Sequence, residues 1–314
     1  MQHKIVFLDA KSLGNNNLGQ YLSEFGEYTE YEITSQNETL QRCNDATIII
    51  TNKVILDSNI LESLKDSLKL ICITATGTNN VDLQTAQKLG IEVKNVVGYS
   101  TKSVAQHTLM MALALSAKIP YYDDYCKSKK YAQNPLFTNL DEKLELINGK
   151  NWGIIGLGTI GLEVARLANA FGAYISYYST SGNNNNPDFQ QKDLDTLLKE
   201  SSIISIHAPL NEKTKNLLNK DNLDLIHEGA ILINVGRGGI INENDLAETL
   251  KVKKFYAGLD VFENEPPKED NPLFSKEIAN QLLLTPHNAW GYENSKKKLI
   301  KGILDNIKEF LRLD

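Results

Sequence analysis

Three polar side chains in the last third of the chain stand just beyond short apolar runs and carry complementary chemistry. Arg237 lies among glycines in Asn234-Val235-Gly236-Arg237-Gly238-Gly239. Glu265 precedes Pro266 in Leu259-Asp260-Val261-Phe262-Glu263-Asn264-Glu265-Pro266, and His287 follows Pro286 in Leu284-Thr285-Pro286-His287-Asn288-Ala289-Trp290. A guanidinium set among glycines has little packing reason to be there, and its planar fork suits a carboxylate. Imidazole exchanges protons near neutral pH, and an acid can orient it. Arg237, Glu265 and His287 therefore read as an acid–base set with an anion clamp. In open α/β sheets such groups collect at the carboxyl ends of strands.

A second motif supplies a cofactor cradle. Gly156-Leu157-Gly158-Thr159-Ile160-Gly161 follows the apolar run Trp152–Ile155. It opens a segment with apolar residues at Ile160, Val164, Leu167 and Phe171, and a further apolar run begins near Ala173. Strand, glycine turn, helix and strand are the context that a dinucleotide fingerprint requires. Gly156 permits the tight turn, Gly158 lets backbone approach a pyrophosphate, and Gly161 lets the helix pack against the strand. The first helical turn, with Thr159 and Ile160, offers free N–H groups to the phosphates. The acid that grips an NAD ribose some 20 residues on is missing: the chain has Tyr178-Ser179-Thr180-Ser181, and the nearest acid is Asp188. Ser179 and Thr180 thus replace a carboxylate, which leaves both NAD(H) and NADP(H) open as cofactor.

The elements that must position these groups alternate from end to end. Lys4–Asp9, Ala46–Thr51, Leu70–Thr74 and Ile91–Val96 read as buried strands, with helices at Asp57–Lys65 and Asp82–Leu89 between them. An apolar helix spans Ser103–Ala117, Pro120 lies just past it, and a Tyr- and Lys-rich connection runs to Asn139. A second series has strands at Trp152–Ile155, Ala173–Tyr178, Ile203–His207, Ala230–Asn234, Tyr256–Asp260 and Leu282–Thr285. A terminal helix from Tyr292 to Leu311 shows one apolar face. This alternation predicts α/β architecture with two parallel sheets covered on both faces. The asparagine runs Asn15–Asn17 and Asn183–Asn186 read as solvated loops.

Bulk properties narrow the partners. The 314 residues suit two domains, and 41% apolar content suffices for two cores. A net charge of -6 gives no reason to expect nucleic acid or an anionic membrane. No apolar run approaches a membrane span, and the N-terminus lacks a signal-peptide pattern. Cys43, Cys72 and Cys126 show neither metal spacing nor a disulfide framework, so no metal site is expected and a cytoplasmic location is.

Taken in order, these segments resemble the D-isomer-specific 2-hydroxyacid dehydrogenase family. Thr76-Gly77-Thr78-Asn79-Asn80-Val81-Asp82, Gly98-Tyr99-Ser100-Thr101 and His207-Ala208-Pro209-Leu210 belong to the likeness, which covers almost the whole chain. The resemblance implies a flavodoxin-like substrate domain from residues 1–100 plus 287–314, an inserted NAD(P)-binding Rossmann domain from 101–286, and an active-site cleft between them. It implies that hydride reaches C2 of a 2-keto acid while His287 delivers the proton. Glu265 would hold the other ring nitrogen; it is preferred to Glu263 because the family acid stands immediately before proline. Arg237 would clamp the carboxylate and polarise the carbonyl, aided by backbone N–H groups of Thr76 and Gly77. Ala208, Pro209, Val235, Gly236 and Asp260 would line the cofactor, Asp260 near the nicotinamide carboxamide. His207 and His107 read as structural. A homodimer through the 103–117 helix is also implied.

The segments around His287 and Tyr99 resemble the glycerate dehydrogenase, or hydroxypyruvate reductase, branch. There Trp290 would crowd the pocket and favour hydroxypyruvate or glyoxylate. Asn288 departs from that branch, which has an apolar residue at the position. The absence of a regulatory domain after the core argues against a 3-phosphoglycerate enzyme, while D-lactate and other 2-keto acid reductases stay open. A nucleotide-sensing corepressor on the same fold is the alternative from another class; turnover of a 2-keto acid separates the two.

Overall fold

The computed structural model describes residues 3–15 and 17–313; Met1, Gln2, Asp314 and Asn16 of the first asparagine run lie outside that description. The chain divides into two compact units, Met1–Ser100 with Gly291–Asp314, and Thr101–Trp290.

In the first unit the elements run β1 (His3–Phe7), α1 (Leu18–Leu22), β2 (Gly26–Glu30), α2 (Gln36–Arg42), β3 (Ile48–Thr51), α3 (Ser58–Leu64), β4 (Leu70–Ile73), α4 (Leu83–Lys88) and β5 (Glu92–Lys94). The strands form one parallel sheet in the order β2-β1-β3-β4-β5, the flavodoxin-like arrangement. β3 and β4 are buried at every residue, as central strands covered on both faces must be. Each fully buried Ile or Leu there contributes about 1.5–3 kcal/mol. The helices start on side-chain caps: Asp57 accepts from Ile60 N–H and Asp82 from Thr85 N–H, both at 3.0 Å. Such a cap is worth about 1 kcal/mol. β2, Gly-Glu-Tyr-Thr-Glu, was not expected; it is a half-exposed edge strand whose polar residues carry no apolar alternation.

The second unit opens with α5 (Thr101–Ser116) and α6 (Ile119–Lys127) and continues through β6 (Asn151–Ile155), α7 (Thr159–Ala170), β7 (Tyr174–Tyr178), β8 (Gln190–Gln191), α8 (Leu194–Glu200), β9 (Ile203–Ile206), β10 (Ile231–Asn234), α9 (Glu243–Val252), β11 (Tyr256–Leu259) and β12 (Leu282–Leu284). Its parallel sheet has the order β12-β11-β10-β9-β6-β7-β8. The chain starts in the middle at β6, winds to one edge through β7 and β8, and returns across β6 to β9. That reversal is the topological switch point where doubly wound sheets bind ligands. α5 lies across β10 and β11; a Cβ on Gly258 would meet Met111 Sδ at 3.2 Å, so the strand is kept bare where the helix crosses. α6 stands where a loop was expected. Lys118 reverses the chain in the left-handed region (φ 53°), and Pro120 occupies the first turn of α6, where its missing N–H costs nothing.

The last helix, α10 (Glu293–Leu311), packs on the first unit against β4, burying Leu299, Ile303 and Ile307. Asn306 donates to Asn95 O at 3.1 Å, and Gly302 lets Val96 approach where a Cβ would come within 2.6 Å. Residues 287–290, expected with the first unit, group with the second. The reason is local: Asn288 and Ala289 N–H donate to the Asp260 carboxylate at 3.0 and 2.9 Å. Among the described residues no helix is long and apolar enough to cross a membrane.

Candidate active site

The glycine loop after β6 is shaped by close backbone approach. Gly156 sits at φ 91°, and a Cβ there would stand 2.9 Å from Ala208 N. A Cβ on Gly161 would meet Gly156 O at 2.3 Å. Gly158 differs: it precedes Thr159 and Ile160 at the start of α7, no side chain caps that helix end, and a Cβ there would meet nothing within 4 Å. Two glycines close the turn and the third leaves open space in front of free N–H groups, which fits a pyrophosphate. Gly156, Gly158, Ser179, Thr180, Ala208 and Pro209 line one cavity of about 610 Å³ with Asn184 and Lys213. Six residues expected to hold the cofactor are thus brought together. Val235 is buried in the second unit's core, and a Cβ on Gly236 would lie 3.1 Å from Ala208 O.

On the far side of the switch point, β10, β11 and β12 deliver Arg237, Glu265 and His287. Gly238 presses its backbone onto that of Phe262, where a Cβ would come within 1.8 Å of Phe262 O, so the Arg237 loop and the Glu265 loop are in contact. Arg237 Nη1 donates to Gly236 O at 2.8 Å, and Asn234 anchors the loop by donating to Arg237 O at 2.9 Å. Glu265 is the residue before a cis proline peptide; its Oε1 accepts from Phe262 N–H at 3.1 Å. Its Oε2 lies 2.7 Å from His287 Nδ1, with both side chains about a quarter exposed. A carboxylate only accepts, so Nδ1 carries the proton, and Nε2 is the ring nitrogen not used in this bond. His287 and Glu265 are thus brought together by a hydrogen bond, whereas Glu263 is exposed and its backbone N–H donates to Glu243 Oε1.

Asp260, which the sequence offers both as a turn cap and as a cofactor neighbour, caps the turn that carries His287. It is buried, and its carboxylate accepts from Thr285 Oγ1 (2.6 Å), Asn288 N–H (3.0 Å) and Ala289 N–H (2.9 Å). Its own carbonyl accepts from His287 N–H at 2.7 Å. His107 of α5 completes the group: Nε2 lies 3.1 Å from Thr285 Oγ1 and 3.7 Å from Asp260 Oδ1, and burial lowers its pKa against the pull of Asp260. These bonds hold the turn in which His287 takes φ 50°, a left-handed conformation that needs support in a residue other than glycine. The Asp260 carboxylate oxygens serve the histidine turn, the cap reading of this residue. No local signal marks His107 or Thr285, because both act across the sheet. Trp290 packs, half-buried, against the second unit's core. Thr76 and Gly77 belong to the first unit, following β4, where Thr76 Oγ1 donates to Val96 O at 3.2 Å and Asn95 donates to Thr76 O at 2.6 Å.

Residues 109–289 match the family profile described as D-isomer specific 2-hydroxyacid dehydrogenase, NAD binding domain. This chain belongs to that family. It is an oxidoreductase acting on CH–OH groups, and its second unit is the NAD-binding domain. A Haemophilus influenzae protein named for the 2-hydroxyacid dehydrogenases is 39% identical over 98% of each chain. A hydroxypyruvate reductase of Blautia hydrogenotrophica is 34% identical over 98% of this chain and 97% of its own. Among solved structures, the D-lactate dehydrogenase of Aquifex aeolicus, complexed with NAD and lactic acid, superposes with a TM-score of 0.83 at 27% identity, covering 98% of this chain and 95% of that one. An acyclic imino acid reductase in complex with NADPH and D-Arg gives 0.86 at 29% identity, covering 98% and 97%.

Proposed function

We propose that this dehydrogenase interconverts a small 2-keto acid, hydroxypyruvate or glyoxylate, with the D-2-hydroxy acid, using His287 as proton donor and acceptor. The observation that carries this reading is the 2.7 Å contact of Glu265 with His287 Nδ1, which leaves Nε2 to exchange the proton. When bound, the nicotinamide supplies or takes the hydride at C2. His287 protonates the carbonyl oxygen during reduction and removes the hydroxyl proton during oxidation. Glu265 holds the ring in one tautomer and balances the imidazolium. Arg237 grips the substrate carboxylate and draws electron density from the carbonyl; Thr76 and Gly77 add backbone donors to the same carboxylate. Gly156, Gly158, Thr159, Ile160, Gly161, Ala208, Pro209, Val235 and Gly236 form the dinucleotide's bed. Trp290 limits the side chain, in keeping with the small substrates named for the hydroxypyruvate reductase relative.

A panel of 2-keto acids tests the substrate, read as NADH or NADPH oxidation. Hydroxypyruvate and glyoxylate should show the highest kcat/KM; a preference for pyruvate or branched keto acids would reassign the substrate, and no turnover of any would favour a nucleotide-sensing role. Arg237→Ala should act mainly through keto-acid KM, and an unchanged KM would remove the clamp. The protein should run as a homodimer, supported by the apolar side chains exposed along 119–146, among them Ile119, Leu136, Phe137 and Leu146; a monomer by light scattering would contradict this.

A further inference from the structure

A dinucleotide-binding sheet meets the adenine-side ribose at the carboxyl end of its second strand, here β7. In place of an acid, that end carries Ser179, Thr180 and Ser181. The segment is a built turn. Asn184 donates its side-chain amide to Leu157 O of the glycine loop, its N–H donates to Ser179 Oγ at 3.2 Å, and Asn183 N–H donates to Ser181 Oγ at 3.2 Å. Ser179 and Ser181 thus have their oxygens engaged by backbone donors, and what each has to offer a ligand is its own proton. A ribose diol is best held by an acceptor; hydroxyl donors suit an anion.

The facing wall supplies charge. Lys213, in the loop after β9, lines the same cavity as the three hydroxyls, and its ammonium has neither an ion pair nor a hydrogen bond among the described residues. Glu212 is the one acid on the cavity wall, and no ion pair joins it to Lys213 among the described residues. The usual dinucleotide site excludes a 2′-phosphate by placing a carboxylate against the ribose; this one replaces that carboxylate with donors and a free cation.

We propose that this cavity is a 2′-phosphate subsite, with the hydroxyls of Ser179, Thr180 and Ser181 as donors and Lys213 as counter-charge, so that the chain selects NADPH over NADH. The inference rests on the reading of the second unit's cavity as the dinucleotide site. Binding tests it without turnover: calorimetric titration of the whole chain with 2′,5′-ADP and with 5′-ADP, and fluorescence titration with NADPH and NADH. The phosphorylated member of each pair should bind about tenfold more tightly at low salt, with the advantage shrinking as ionic strength rises. Ser179→Asp should reverse the order. Lys213→Ala, at an exposed position, should cut the NADPH-to-NADH affinity ratio about fivefold. Equal or tighter binding of the unphosphorylated pair overturns the proposal, as does a ratio unmoved by Lys213→Ala. If NADH binds and NADPH does not, only this subsite fails; if neither binds, the dinucleotide reading itself fails.

Discussion

Two histidines stand just past parallel strands of the same sheet, and their surroundings send them in opposite directions. His207 follows β9. Its N–H donates to Ile155 O at 2.8 Å, and its Nε2 lies 3.0 Å from Ser205 Oγ. Trp152 Nε1 donates to that same oxygen at 2.9 Å, so the serine's proton goes to the imidazole. With no carboxylate at hand, burial pushes the His207 ring down to about 3, and the ring is neutral at working pH. His287 follows β12, is partly open to solvent, and has Glu265 on Nδ1. Position at a strand end does not make a histidine an acid or base. A partnering carboxylate and an accessible second nitrogen do.

The sharpest way to break this contrast is to remove the ring proposed as proton donor, His287. His287→Ala should lower kcat by about 10²–10⁴-fold with little change in dinucleotide affinity; a kcat close to that of the unaltered enzyme would place proton transfer elsewhere. Glu265→Gln should cost less, since an amide oxygen can still accept from the ring without balancing its charge; a loss in kcat as large as that of His287→Ala would contradict this.

The support beneath His287 is tested next. Asp260→Asn keeps the shape but puts an amide NH2, a donor, where one carboxylate oxygen accepts from the N–H of Asn288 or of Ala289. A loss of about 1–3 kcal/mol is expected, read in denaturant unfolding; unaltered stability would mean that the 285–289 turn holds itself. The effect of His207 is absent at neutral pH and builds only in acid. Between about pH 6.5 and 3 the unfolded ring binds a proton that the folded ring refuses. The unfolded state therefore gains as pH falls through that window, and stability drops on the order of 1 kcal/mol per pH unit at most. His207→Asn should flatten this slope, and an identical slope would mean that His207 is not the group responsible.

Much of the site was legible because the signals are local. The glycine spacing after β6 and the guanidinium among glycines at Arg237 are patterns within a few neighbouring residues, whereas the preference for Glu265 over Glu263 comes from the family resemblance. The elements that escaped are those without such a signal. β2 is a polar edge strand, and α6 is a short helix among tyrosines and lysines.

The chain's own order of residues determined the alternation of strands and helices, the two-sheet architecture and the placing of Arg237 and His287 just past strand ends. Periodicity and backbone freedom are properties of a short window, and they survive without knowledge of what lies across the sheet. Tertiary structure alone decided that residues 287–290 side with the second unit, that Asp260 spends its carboxylate on their turn, and that His107 reaches Thr285 from 178 residues away. A hydrogen bond between distant segments depends on strand order and helix placement, and no stretch of sequence contains those by itself.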